Sequence, residues 1–153
     1  MSSSAQHLLS DNVMVGSGFG RFEFDHDRTI TFPKGIPGFH GYQEFGLTQL
    51  PECFEADLML LQSIEPADLS FIVRAHTPAL GLIQPEDLAE AARDLGIDEE
   101  DCGVMLITTF HNFAEGSKLS VNLRAPVLVD TAKRLAWQFI LSNDSYSVRH
   151  MLD

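Results

Sequence analysis

Alternation of apolar and polar residues predicts β-strands in the first half of the chain. Residues 22–25 alternate in this way, and residues 29–32 follow them across a polar turn, which predicts a hairpin. Leu58–Ile64 and Leu69–His76 are apolar runs of strand length. Glu65–Asp68 joins them and contains a proline, so we expect a second hairpin there.

The second half of the chain carries more strand patterns and one interruption. Pro126 lacks an N–H group, so a strand ladder must break or bulge at this position. Trp137, Phe139 and Leu141 alternate on one face of a late strand. The expected strands are Val104–His111, Lys118–Arg124, Val127–Val129, Leu135–Leu141 and a short last strand within Tyr146–Leu152.

One segment has the spacing of a helix. Pro85 suits the first helical position, acidic residues follow it, and apolar residues then recur every three or four positions until Gly96. The acidic run Asp98–Asp101 is expected to be a loop or an extra turn. The chain is therefore predicted to be mainly β: a small antiparallel β-barrel or sandwich-like curled sheet with one short helix.

Length limits the number of domains in the chain, and charge limits the class of partner that it can bind. The chain has 153 residues, which favours one domain, and we expect a mobile N-terminal tail over residues 1–17 followed by a single β domain over 18–153. Ten basic residues face 22 acidic ones, for a net charge of −12. Such a field repels nucleic acid and anionic membranes and attracts a basic partner. The simpler alternative is that the charge serves solubility alone.

The sequence also predicts a location. Two cysteines lie 49 positions apart without metal or disulfide spacing, and the first residues lack the basic and apolar regions of a secretory signal. No stretch is long enough in apolar residues to cross a membrane. We expect a cytoplasmic protein with no membrane association, and a monomer.

Catalytic and metal-binding patterns are missing from the sequence. The nucleophile elbow G-x-S-x-G is absent, no histidine pair has ligand spacing, and Cys102 follows three acidic residues that raise a thiol pKa. We therefore expect no enzyme, no cofactor and no metal, but a protein that binds other proteins. The alternative is a small β-barrel ligand-binding protein or enzyme with a pocket near His76 and His111, two histidines at predicted strand ends.

The stretch FPKGIPGFHGY, residues 32–42, combines turn formers with apolar side chains. Pro37 restricts its own backbone and that of Ile36, while Gly35 and Gly38 permit angles that other residues resist. The result is a rigid bend that presents Ile36 and Phe39. These side chains either close one end of the fold or contact a partner, and a rigid loop loses little entropy on binding.

Four blocks in this chain resemble the signature of the FliW family of flagellar assembly factors. The first is F-x-x-G-I-P-G-F at residues 32–39, and together the blocks cover roughly residues 19 to 152. The segment after Arg74, together with Ala136 and Met151, departs from the family pattern. The other blocks are Leu61–Glu65 with Leu69–Val73, Ser120–Val127, and Gln138–Leu141 with Tyr146–His150.

The resemblance implies a partner switch. FliW-like proteins bind flagellin and the translational regulator CsrA; flagellin export frees the FliW-like protein, which then antagonises CsrA repression of flagellin synthesis. A general chaperone for aggregation-prone helices is a further possibility. The candidate partner contacts are Ile36, Pro37, Phe39, Glu65, Asp68, Asn122 and Pro126, the last two of which equally suit a structural role at the strand break.

Overall fold

Strands dominate the part of the chain that the computed structural model describes, which is residues 12–17, 20–25, 28–50, 58–113 and 116–152. A single α-helix, α1 at Pro85–Leu95, and a 3₁₀ turn at Glu99–Asp101 complete the elements of these residues. The strands are β1 Asn12–Ser17, β2 Gly20–Asp25, β3 Ile30–Thr31, β4 Glu44–Gln49, β5 Leu58–Ser63, β6 Ser70–Ala75, β7 Cys102–Phe113, β8 Gly116–Val121, β9 Val127–Asp130, β10 Leu135–Gln138 and β11 His150–Leu152.

Nine strands form one sheet that closes on itself. Its order is β11-β8-β7-β6-β5-β4-β3-β10-β9, and β9 also pairs with β7. This last pairing closes a ring of seven strands, β7-β6-β5-β4-β3-β10-β9, and leaves β8 and β11 outside it. All neighbours in this sheet are antiparallel except β3 and β10, which meet in parallel at Thr31 and Leu135. The predicted curled antiparallel sheet with one short helix is confirmed.

The interior of the ring is filled by one apolar cluster to which every strand of the ring contributes. Phe45, Leu61 and Val73 come from neighbouring strands, and Phe32 and Ile36 join them from the β3–β4 loop. Phe32 and Phe45 are fully buried, with their ring centroids 5.1 Å apart. The loop therefore belongs to the core of the molecule as well as to its surface.

Helix α1 covers the outer face of β7 and β9. Ala91 and Ala92 are buried against Leu106 and Leu128, whose sequence neighbours point into the ring. Gly96 ends the helix in a left-handed conformation, φ 75°, which glycine adopts without the clash a Cβ would make. The predicted helix bounds are confirmed. No helix in the described residues is long and apolar enough to cross a membrane.

The break predicted at Pro126 separates β8 from β9. Both pair with β7, and the Asn122 N–H still bonds to the Ile107 carbonyl at 2.9 Å, but residues 123–126 loop away between the two strands. Asn122 Oδ1 accepts the Ala125 N–H at 3.0 Å, and the Pro126 carbonyl accepts the Phe139 N–H at 2.9 Å. The asparagine and the segment around residue 139 thus satisfy backbone groups that the ladder leaves open.

The structure differs from the sequence expectations at the N-terminal end. The predicted hairpin of residues 22–25 with 29–32 is wrong, since β2 pairs with β1 and β3 pairs with β4 and β10. Alternation identifies strand residues but does not select their partner. Residues 12–17, expected in a tail, form β1, and residues 1–11 lie outside the described residues.

Candidate functional site

The loop between β3 and β4 contains three consecutive tight turns, the last of which is closed by the Tyr42 N–H and the Phe39 carbonyl at 3.2 Å. The Gly35 N–H donates to the Phe32 carbonyl at 2.9 Å, and the Phe39 N–H donates to the Ile36 carbonyl at 2.6 Å. Gly38 has φ 88° and follows Pro37, the arrangement of a type II turn. Gly35 has φ 67°, and a Cβ there would lie 2.9 Å from the His40 Cα. Both glycines are therefore required by the backbone.

The second turn sends its two apolar side chains in opposite directions. Ile36 is 2% exposed and packs in the ring interior, whereas Phe39 is 39% exposed. Pro37, between them, is exposed. Ile36 therefore anchors the turn, whereas Pro37 and Phe39 are exposed at the surface.

Aromatic rings connect the exposed part of the loop to the core. Phe39 packs edge-to-face against Tyr42 and Phe71, at centroid distances of 6.1 and 5.8 Å. Phe71 in turn lies 6.4 Å from Phe45, which contacts Phe32. This continuous line of rings holds Phe39 in place on the surface, so little conformational freedom remains to be lost on binding.

The β5–β6 turn supplies the acidic part of the same surface. Gln62 is fully buried, and the two N–H groups of its Nε2 are shared among the carbonyls of Ser63, Ala67 and Leu69, at 3.0, 3.0 and 3.2 Å. This amide fixes the backbone of a turn whose Glu65 and Asp68 side chains are exposed. The turn therefore presents two carboxylates from a rigid frame.

A side-chain hydrogen bond joins the loop to the turn. The Tyr42 hydroxyl donates to Asp68 Oδ1 at 2.9 Å, and this bond raises the pKa of Tyr42. Two sequence-distant groups of candidates thus meet in one place. We call this the loop–turn surface and define it by Pro37, Phe39, Tyr42, Glu65, Asp68 and Phe71.

Sequence reasoning missed two members of this surface. Tyr42 lies within the stretch of residues 32–42 but is not a turn former, and Phe71 lies in the apolar run of β6 like any strand residue. The sequence did contain a chemical signal, since a tyrosine hydroxyl in the loop can donate a hydrogen bond to a carboxylate in the β5–β6 turn. That bond forms only if the fold brings the two segments together. That meeting depends on the β4–β5 pairing, in which Phe45 lies opposite Ser63.

Asn122 and Pro126 belong to the break between β8 and β9. Pro126 is buried, and Asn122 is half-buried with its side-chain oxygen bonded to the Ala125 N–H. The same break is held by Arg124, whose Nε donates to the Leu141 carbonyl at 3.1 Å. These contacts are the structural role that a broken strand requires.

His76 and His111 do not line a common cavity. The His76 N–H bonds to the Val104 carbonyl, and His111 lies seven residues further along β7, roughly 23 Å of strand. His111 Nε2 is 2.7 Å from Ser120 Oγ. His76 Nε2 accepts the N–H groups of Leu82 and Ile83, both at 3.2 Å, and burial lowers the pKa of its ring.

The remaining titratable groups give little support for metal or thiol chemistry. Asp98, Glu100 and Asp101 place carboxylate oxygens within 4.8 Å of one another in the 3₁₀ turn, an arrangement of exposed acidic groups that is common without an ion. Burial, with Asp130 and Glu99 nearby, raises the pKa of the Cys102 thiol, as the acidic sequence context predicts. Cys53 lies outside the described residues.

Comparisons with a family model and with known proteins both identify similarity to FliW proteins. The model of the family described as "FliW protein" matches residues 14–152. The flagellar assembly factor FliW of Bacillus pumilus is 35% identical over 137 residues, covering 88% of this chain and 91% of the relative. The protein of the same name from Bacillus licheniformis is 36% identical over 129 residues, covering 83% and 87%.

A solved structure has the same fold. A crystal structure of the flagellar assembly factor FliW superposes with a TM-score of 0.70 at 27% sequence identity. The superposition covers 92% of this chain and 96% of that protein. The closed sheet with its outer helix is therefore shared over nearly the whole length of both chains.

Proposed function

The chain belongs to the FliW family of flagellar assembly factors, and on that premise we propose that it binds flagellin and a CsrA-type translational regulator in alternation. Free flagellin occupies the protein and leaves the regulator to repress flagellin synthesis. Export of flagellin vacates the protein, which then binds the regulator and relieves repression. This role is one of binding without a catalytic step, and it belongs in the cytoplasm, where translation takes place.

The observation that carries the proposal is the loop–turn surface. Exposed Phe39 provides apolar contact area that is already held in place by Tyr42 and Phe71. Glu65 and Asp68 place carboxylates beside it, and carboxylates complement a basic, RNA-binding partner. Rigid aromatic area next to matching charge is the composition of a protein-binding surface.

The net charge of the whole chain supports the choice of partner. At −12 the protein repels RNA, so it acts on a messenger through the regulator protein that binds the messenger. The switch then needs no conformational change of its own. Mass action suffices, because the fraction of protein bound to each partner follows the two concentrations and dissociation constants.

A charge reversal in the turn tests the proposal. Glu65→Lys should weaken binding to the regulator by about three- to tenfold and reduce the salt dependence of binding, since an exposed carboxylate near a basic partner acts through screened attraction. Isothermal titration calorimetry at low and moderate salt measures both effects. The variant leaves the Tyr42–Asp68 hydrogen bond untouched.

Asp94→Lys is the matched control. Asp94 is exposed on α1, away from the loop–turn surface, and its reversal changes the net charge by the same amount. If both variants weaken binding equally, the partner responds to overall charge and not to the loop–turn surface. If neither affinity nor salt dependence changes in Glu65→Lys, the turn does not contact the regulator.

A further inference from the structure

A cavity of about 500 Å³ opens between α1 and the start of β7, on the outer side of the ring. Its volume lies within the roughly 300–1,000 Å³ that is typical of binding pockets. Leu88, Ala89 and Ala92 line it from one face of the helix, and Ile83, Cys102 and Val104 form the opposite wall. The wall is therefore mainly apolar, and it belongs to rigid elements.

Apart from Glu99, the polar groups in this wall are already hydrogen-bonded or uncharged. His76 also lines the cavity, but its Nε2 accepts two backbone N–H groups, which holds the ring neutral. The raised pKa of Cys102 keeps its thiol protonated at neutral pH. An apolar side chain therefore suits the interior better than a charged one.

One side of the cavity, at the 3₁₀ turn, is acidic. The carboxylates on α1 do not line the cavity, and those of Asp87 and Glu90 accept hydrogen bonds from Tyr146 and Ser142 instead. Glu99 itself lines the cavity and is exposed, as are Asp98 and Glu100 beside it. A segment that enters the cavity meets negative charge on its way in, which favours lysine or arginine next to the inserted side chain.

We propose that this cavity docks a basic segment of another protein, which inserts one apolar side chain against Ala89 and Leu88. A second copy of this chain is a poor occupant, because both copies carry a charge of −12. The cavity and the loop–turn surface lie beyond opposite ends of β6, roughly 20 Å apart along the strand. The proposal is therefore independent of the function assigned to that surface.

The test uses three labelled peptides and fluorescence anisotropy with the full chain. The first carries one leucine among lysines and glycines, the second replaces the leucine by serine, and the third replaces the lysines by glutamates. Only the first should bind well. Ala89→Leu fills the cavity while keeping a good helix former, and it should weaken this binding about tenfold or more.

Two controls separate the cavity from general effects. Ala132→Leu makes the same change at an exposed position between β9 and β10 and should leave binding unchanged. Glu99→Lys should weaken binding more than Asp94→Lys, because only Glu99 lines the cavity and both reversals alter the net charge equally. Circular dichroism on each variant verifies that α1 is retained.

Several results would overturn the proposal. Equal binding of the leucine and serine peptides would show attraction by charge alone, without an inserted side chain. Unchanged binding in a folded Ala89→Leu variant would place the peptide elsewhere. A change in the molecular mass of the free protein on Ala89→Leu, measured by light scattering, would assign the cavity to contacts between copies of this chain.

Discussion

Ile36 and Phe39 are the first and last residues of one tight turn, and they have separate tasks. Ile36 is 2% exposed in the ring interior, while Phe39 is 39% exposed on the loop–turn surface. The sequence predicts a rigid bend with these two side chains but does not decide whether they close the fold or contact a partner. The structure assigns the first role to Ile36 and leaves the second available to Phe39.

This division predicts opposite effects for two alanine substitutions. Ile36→Ala should lower the free energy of unfolding by about 2–4 kcal/mol, because a buried side chain leaves a cavity. Phe39→Ala should cost about 1 kcal/mol, the scale of its two edge-to-face contacts, but should weaken partner binding about tenfold or more. Urea denaturation and calorimetry measure the two quantities.

Two results would contradict the separate roles of Ile36 and Phe39. If folded Phe39→Ala binds both flagellin and the regulator with unchanged affinity, the exposed aromatic ring is not a contact. If Ile36→Ala retains full stability, the loop does not contribute to the core as the packing around Phe32 and Phe45 indicates.

His76 is predicted to stabilise the fold only in its neutral form. Its Nε2 accepts two N–H groups, and burial lowers its pKa below the ordinary 6.5. An unfolded chain takes up a proton there first, so the stabilisation is present above pH 6.5 and is lost as the pH falls through the lower pKa of the folded state. The pH dependence of the free energy of unfolding therefore reports on these two hydrogen bonds.

His76→Leu should lower the free energy of unfolding at pH 7.5 by about 1–3 kcal/mol, since it leaves two N–H groups without their acceptor. The difference between the native protein and the variant should shrink as the pH falls below 6.5. Denaturant unfolding across this pH range measures it. A difference that stays constant with pH would mean that the ring does not accept these bonds as a neutral group.

At the scale of elements, local patterns predicted the strands and the helix, but not their neighbours. Apolar runs of strand length located β5 and β6, and Pro85 and Gly96 marked the ends of α1. Strand β4 was missed because Gly46 interrupts its pattern. The glycine is needed there because a methyl group at Gly46 would collide with the Phe24 ring, a contact between distant segments that no local pattern contains.

The β3–β4 loop predicts a position-dependent cost of glycine substitution. Gly35→Ala should destabilise the protein by more than about 1 kcal/mol, since φ is 67° and the added Cβ meets the backbone of His40. Gly41→Ala, in the same loop, has open space and no positive φ, so its effect should stay within about 0.5 kcal/mol. Thermal or urea unfolding compares the pair.

Equal effects of the two alanine substitutions would contradict the left-handed backbone that the first turn of the loop requires at Gly35. A neutral Gly35→Ala in particular would show that the backbone at this position is free to leave the left-handed region. The comparison does not depend on any partner, so it tests the geometry of the loop apart from the proposed function.

At the scale of the whole molecule, ring closure decides where the candidate residues lie. The β7–β9 and β3–β10 pairings join segments far apart in sequence, and alternation carries no information about them. The β4–β5 register brings Tyr42 to Asp68 and so creates the loop–turn surface. Two of the seven candidates, Asn122 and Pro126, are held instead in the strand break between β8 and β9.

The charge of −12 acts on the same scale. It cannot locate a site, but it predicts that association with any basic partner weakens as salt rises. Local residues then determine which surface the partner contacts, and the comparison of Glu65→Lys with Asp94→Lys tests this. The sequence therefore carries more information about the charge of a partner than about the position where it would bind.

The central claim is that one protein exchanges two partners. The most direct measurement is calorimetric titration of this protein with the flagellin and the CsrA-type regulator of the same organism, singly and in competition. The account predicts binding to each, with flagellin displacing the regulator from the complex. Binding to neither partner, or a stable complex of all three in which neither displaces the other, would contradict it.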